Sequence, residues 1–121
     1  MRIYLAGPWK HREAAREAAR KLQVAGHTIT SRWLWEHGDT TNPVILRREA
    51  QHDLDDILES DVMVLLNIEL SEGKAFEQGF AKAHEIPVIG VGPISHIFGH
   101  LHSYLWVETI EDALIPLNIY F

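Results

Sequence analysis

Asp61-Val-Met-Val-Leu-Leu66 is the stretch that decides the fold. A near-continuous apolar run of this length, rich in β-branched and aliphatic side chains, reads as a strand buried on both faces, which suits the centre of a parallel sheet. A polar loop, Asn67–Gly73, follows it. Next comes a helical pattern from about Glu72 to Glu85, with an apolar face read as Ala75, Phe76, Gly79, Phe80 and Ala83. Pro87–Val91 is then a further strand. Strand, helix, strand in this order is the unit of a sheet with crossover helices.

Working outward, the same alternation continues in both directions. Ile3–Ala6 is a strand ended by Gly7-Pro8, and His11–Ala25 carries Ala15, Ala18, Ala19, Leu22 and Ala25 at helical spacing before Gly26 closes it. Thr28–Ser31 is a short second strand, and Trp33–Thr41 reads as a loop. Asn42 then caps a helix with Pro43 at its first position, and Leu46, Ala50, Leu54, Ile57 and Leu58 are its expected buried stripe. Downstream, Gly92-Pro93 opens a His-rich stretch, Tyr104–Val107 is a fifth strand, and Thr109-Ile-Glu-Asp112 starts a short final helix. The expectation is α/β: a flavodoxin-like (Rossmann-like), doubly wound domain over residues 1–121, with a five-stranded parallel sheet flanked by helices. Ligands of such sheets sit at the carboxyl ends of the strands where the strand order reverses, so Gly7–Arg12 and Asn67–Lys74 should flank the crevice.

Composition narrows the chemistry. The 121 residues are 46% hydrophobic and 23% charged, enough to build a core without staples and too few for two domains. Cysteine is absent, which removes disulfides, thiolate nucleophiles and Cys-based metal sites, and fits a reducing cytoplasm. Lys and Arg number 11 against 17 Asp and Glu, a net charge of −6 with no basic block, so a polymeric nucleic-acid partner is not expected. No apolar run reaches the roughly 18–20 residues of a membrane span, and Met1–Pro8 is too short to be a signal peptide. There is no Walker A sequence and no GxGxxG, and no cofactor is expected.

Two carboxylates remain as candidates for covalent or acid–base work. Asp53 falls at the edge of the helical stripe facing the sheet, where desolvation raises a carboxyl pKa and makes a proton donor; pairing with Arg47 or Arg48 is the alternative. Glu77 lies in the second turn of its helix within Gly73-Lys-Ala-Phe-Glu77-Gln-Gly79, where small residues allow close approach; an ordinary surface glutamate is the alternative. Ser71 and Gly73 at the helix start, opposite Gly7, Lys10 and Arg12, could hold a small anion, or Ser71 could simply cap the helix. Trp33 and Trp35 could stack on a base or cover the core. His96, His100 and His102 cluster without accompanying carboxylates, so no metal is expected there.

Ile3-Tyr-Leu-Ala-Gly-Pro8, Ser31-Arg-Trp33, Asp53 with Asp61, and Gly73-Lys-Ala-Phe-Glu77-Gln-Gly-Phe-Ala81 followed by Ile86-Pro-Val-Ile together resemble the nucleoside 2-deoxyribosyltransferase family over nearly the whole chain. The separation of 24 residues between Asp53 and Glu77, with Asp61 between, resembles that family's 2'-deoxynucleoside 5'-monophosphate N-glycosidase branch. The resemblance implies that Glu77 attacks the anomeric carbon, that Asp53 assists the leaving base, and that Tyr4 positions the nucleophile. It implies Asp61 as a structural residue. Ser71, six residues before Glu77, stands where nucleoside-exchanging members tend to carry Asp, and so resembles a phosphate ligand. Gly7-Pro-Trp-Lys-His-Arg12 lacks the glycine-rich run of the monophosphate branch, leaving Lys10 and Arg12 to compensate. A 2'-deoxynucleoside 5'-monophosphate as the favoured substrate with the free deoxynucleoside as the alternative, hydrolysis in preference to base exchange, a non-catalytic nucleotide-binding or sensing module as the alternative class, and a homodimer or higher homo-oligomer are the resulting expectations.

Overall fold

The computed structural model describes residues 1–119; Tyr120 and Phe121, the end of the chain's C-terminal tail, lie outside the described residues. Five strands form one all-parallel sheet: β1 (Arg2–Ala6), β2 (Thr28–Ile29), β3 (Val62–Leu66), β4 (Val88–Val91) and β5 (Tyr104–Val107), in the order β2-β1-β3-β4-β5. This is the doubly wound arrangement expected from the alternation of apolar runs and helical patterns. All five residues of β3 are buried, as its uninterrupted apolar sequence requires. It pairs with β1 from Ile3–Val62 to Ala6–Leu65 and with β4 from Met63–Val88 to Leu66–Val91. Each fully buried Val, Leu or Ile here contributes about 1.5–3 kcal/mol, and this central ladder is the rigid floor of the molecule.

The helices are α1 (Arg12–Val24), α2 (Trp33–Glu36), α3 (Pro43–Leu58), α4 (Glu72–Ala83) and α5 (Ile110–Ile119). α1 packs with α5, and α3 with α4, giving the two covering layers. α1 buries Ala15, Ala18, Ala19 and Leu22, the stripe read from its spacing. α3 begins as expected, with Asn42 Oδ1 accepting from the Val44 N–H at 2.9 Å and Pro43 in the first turn. Ser71 caps α4 in the same way, accepting from the Lys74 N–H. Asp61 ties β3 to β1 by accepting from the Arg2 N–H at 2.8 Å.

Three sequence expectations are corrected. Trp33–Glu36 is a turn of helix, α2, rather than part of a loop, because Trp33 and Leu34 are drawn into the core. β2 stops at Ile29, since Thr30 turns its hydroxyl to the carbonyls of Ile3 and Asp56 and Ser31 Oγ accepts from the Leu5 N–H. The stripes of α3 and α4 hold only in part: Ile57 is buried and Leu54 and Phe80 pack part-buried against the core, but the other expected positions do not. Leu46, Ala50 and Leu58 are exposed, as are Ala75, Phe76, Gly79 and Ala83; α4 instead buries Lys74, Gln78 and Ala81, and α3 buries Asp56 and Ile57. Both helices therefore turn mixed faces inward, with polar residues beside Ile57 on α3 and Ala81 on α4.

The far edge of the sheet is closed by Trp106, which pairs with Gly90 across β4 and β5 and donates its indole N–H to the Gly99 carbonyl at 2.6 Å. A Cβ built on Gly90 would stand 2.3 Å from the Trp106 ring, so nothing larger than glycine fits beneath it. Gly90→Ala is predicted to destabilise the fold by about 1–3 kcal/mol through overpacking, read as a lower urea midpoint at unchanged slope.

Candidate active site

Parallel strands deliver their C-terminal ends to one edge, and the order reverses between β1 and β3. A cavity of about 330 Å³ opens there, walled by the β1 loop, the end of α2, the middle of α3 and the start of α4. Gly7, Trp33, Asp53, Ser71, Gly73, Glu77 and Tyr4, all singled out in the sequence, line it. Lys10 and Arg12 do not. Lys10 is exposed, and Arg12 folds back so that its guanidinium lies 4.4 Å over the Trp9 ring and donates to the Trp9 carbonyl.

Tyr4 sits in the middle of β1 and is fully buried. Its hydroxyl leaves the sheet to donate a short hydrogen bond to Glu77 Oε2 on α4. Glu77 reaches that position because Lys74, Glu77, Gln78 and Ala81 recur at helical spacing on the face toward the sheet. Burial pushes the Glu77 carboxyl up to about 7, against the opposing pull of the Tyr4 hydrogen bond and the nearby Lys74 charge. The Tyr4 hydroxyl is itself raised well above the usual phenol range, first by burial and then by Glu77 and Asp53, so it stays a donor.

Asp53 faces the same cavity from α3. Burial first, then the charges of Glu77, Asp56 and Glu49, raise its carboxyl to about 8. Among the described residues it makes no ion pair with Arg47 or Arg48; the nearest basic group is His37 Nε2, 3.5 Å from Oδ1. The site thus holds two carboxyls that burial lifts from the usual carboxylate range to near neutral pH, where either can exchange a proton.

Trp33 is both wall and core: it is buried, and its indole N–H is held by the Leu5 carbonyl at 2.8 Å. Trp35 lies outside the cavity, half exposed beneath the Arg16 and Arg20 guanidiniums. His96 meets the Gln78 amide at 3.1 Å, and among the described residues no three His, Cys, Asp or Glu side chains gather to hold a metal.

Three residues escaped the sequence reading. Lys74 is buried, its ammonium donating to Asn67 Oδ1 at 3.0 Å and to the Glu69 carbonyl, which pins the loop after β3. Asp56 is buried and binds Arg32 through its backbone N–H and guanidinium, anchoring α2 to α3. His37, just after α2, enters the cavity beside Glu49 and Asp53. The available signal was that Glu49, Asp53, Asp56 and Ile57 share one helical face, as do Lys74, Glu77 and Gln78; apolar periodicity alone pointed the other way.

Solved structures with the same architecture share this topology at low identity. A 2-deoxyribosyltransferase from Bacillus psychrosaccharolyticus is 22% identical, with a TM-score of 0.71 over 93% of this chain and 90% of its own. The CMP N-glycosidase BcmB of Clostridium botulinum is 19% identical, with a TM-score of 0.60 over 99% of this chain and 100% of its own. A conserved protein from Enterococcus faecalis V583 is 16% identical, with a TM-score of 0.73 over 100% and 99%. No curated protein matches at the sequence level. The family model for nucleoside 2-deoxyribosyltransferases matches residues 3–104, a span that runs from Tyr4 on β1 through Asp53 and Glu77 to the start of β5. With that span matched and the two carboxyls facing one cavity at the switch point of the sheet, the chain belongs to the nucleoside 2-deoxyribosyltransferase family.

Proposed function

We propose that this protein cleaves the N-glycosidic bond of a 2'-deoxynucleoside through a covalent glycosyl ester on Glu77. The observation that carries the proposal is the Tyr4–Glu77 hydrogen bond beside the raised Asp53 carboxyl in one cavity. Ionised Glu77 attacks the anomeric carbon as the bond to the base breaks, and Asp53 gives its proton to the departing base. Water then attacks the same carbon, Asp53 takes the water's proton, and the sugar leaves Glu77 free. An incoming base in place of water would give exchange instead of hydrolysis.

The geometry favours an uncharged nucleoside. Lys10 and Arg12 stand outside the cavity, Lys74 is spent on carbonyls, and Asp39, Glu49, Asp53 and Glu77 supply carboxyls to its walls. The specific support for a 5'-monophosphate is the start of α4, where Ser71 and Gly73 line the cavity at a helix N-terminus. Chromatography of base released from a panel of deoxynucleosides, ribonucleosides and their 5'-monophosphates, with and without a second base, separates these readings. Nucleosides are expected to turn over faster than monophosphates, and Glu77→Ala to lose about 10³-fold or more in activity with the fold retained. Neither base release nor exchange from any substrate would end the proposal.

Two pKa values set the pH dependence. Glu77 acts ionised and gains that form as pH rises through about 7; Asp53 acts protonated and loses that form as pH rises through about 8. A bell-shaped profile of kcat/KM with limbs near these values is predicted. Tyr4→Phe removes a hydrogen bond that lowers the Glu77 pKa, so the acidic limb should move to higher pH while kcat falls roughly 10–100-fold.

We also infer assembly into a homodimer or higher homo-oligomer. The outward faces of α3 and α4 expose Val44, Leu46, Leu58 and Phe76, the last 66% exposed, and Leu46 continues this face into the mouth of the cavity. Neighbouring helices that present apolar residues outward and polar ones inward form a surface that a second copy would cover. Light scattering should give a multiple of the chain mass for the native protein and the single-chain mass for Phe76→Glu; a monomeric native protein would contradict the inference.

A further inference from the structure

His37 has no part in the chemistry above, yet its ring stands between two carboxylates of α3. Its Nε2 lies 3.5 Å from Asp53 Oδ1, and its Nδ1 lies 3.9 Å from Glu49 Oε2. Both Nε2 and Oδ1 are buried polar atoms without a hydrogen-bond partner. A buried polar atom left unpaired is costly, and here two such atoms face each other, one a potential donor and one an acceptor, within a small side-chain rotation of a normal bond. The imidazole is held for this: its side chain is 13% exposed, and it follows directly on α2, which Trp33, Leu34 and the Arg32–Asp56 pair fix against the core.

We propose that His37 is the positioning residue of the proton donor, donating from Nε2 to Asp53 Oδ1 and so keeping the acid's proton on Oδ2. Asp53 lines the cavity and its Oδ1 is the buried, unpartnered oxygen beside the ring, which leaves Oδ2 as the oxygen to carry the proton toward substrate. The same bond stabilises the carboxylate that remains once the proton has gone to the leaving base. The charged and titratable groups around His37 are Asp53, Glu49, His52 and Asp56 from α3 and Glu36 from the end of α2; burial is the largest influence and lowers its pKa, favouring the neutral ring with a single N–H. The placement of that proton is therefore decisive.

The inference rests on the role proposed for Asp53, and two readouts without substrate keep the tests separate. Long-range ¹H–¹⁵N spectra of the native protein report the tautomer: Nε2–H is expected, and Nδ1–H would overturn the proposal. Carbon NMR of the Asp53 carboxyl should show its midpoint moving to higher pH in His37→Leu, which removes the donor, and returning toward the native value in His37→Gln, whose amide can donate. In turnover, His37→Leu should lower kcat roughly 10–100-fold with KM within about threefold, and His37→Gln should recover most of it. An unmoved Asp53 midpoint in folded His37→Leu would overturn the coupling even if the enzyme is active. An inactive native enzyme with the expected tautomer and midpoint shift would instead count against the glycosidic reaction and leave the His37–Asp53 bond standing.

Discussion

The contact on which the rest of the structure depends is the hydrogen bond from the Tyr4 hydroxyl to the Glu77 carboxyl. It joins β1, buried from Ile3 to Ala6, to α4 on the covering layer. A strand side chain of a two-sided buried sheet is ordinarily apolar, and a helix stripe that covers it is ordinarily apolar as well. Here a phenol rises from the strand and α4 answers with Lys74, Glu77 and Gln78, while α3 answers with Glu49, Asp53 and Asp56. The inward faces of both helices are polar near the strand ends, where the cavity lies, and apolar farther along, where Ile57 and Ala81 are buried.

This arrangement sets function against stability. In an unfolded chain Asp53 and Glu77 would titrate near 3.8 and 4.5, whereas in the fold burial holds them at about 8 and about 7. Between those pH values the native state keeps protons that the unfolded state has released, so these two groups favour folding at low pH and cease to do so as pH rises through 7 and 8. That sign is opposite to the usual contribution of ion-paired carboxylates. The fold can carry the penalty because the β1–β3–β4 ladder beneath the site is almost wholly aliphatic and buried. The same desolvation that weakens the fold brings the titration of both carboxyls close to neutral pH.

The sheet was legible in the sequence because its strands, Val62–Leu66 above all, are apolar without interruption and its helix starts carry Asn42-Pro43 and Ser71 as caps. Asp53 and Glu77 could be singled out from their position relative to those elements, and Tyr4 only through the family resemblance. The helix phases could not be read from apolar periodicity, since Leu46, Leu58 and Phe76 gave a regular stripe that points to solvent. Lys10 and Arg12 belong by topology to the loop after β1 that flanks the crevice, but a cation–π contact turns Arg12 toward Trp9, and Lys10 is exposed. His37 was hidden for a different reason: its role depends on α2, a single turn of helix that the sequence presents as loop, and on a contact with α3 across 16 residues of chain.

The central claim is that Glu77 becomes covalently attached to the sugar during turnover. Mass spectrometry of protein quenched during reaction with a 2'-fluorinated deoxynucleoside, a substrate whose glycosyl ester is slow to hydrolyse, tests it most directly. The account predicts a mass increase of one glycosyl unit, mapped to the peptide containing Glu77 and absent from Glu77→Gln. Base release at a normal rate with no adduct, or an adduct mapped to Asp53, would contradict it.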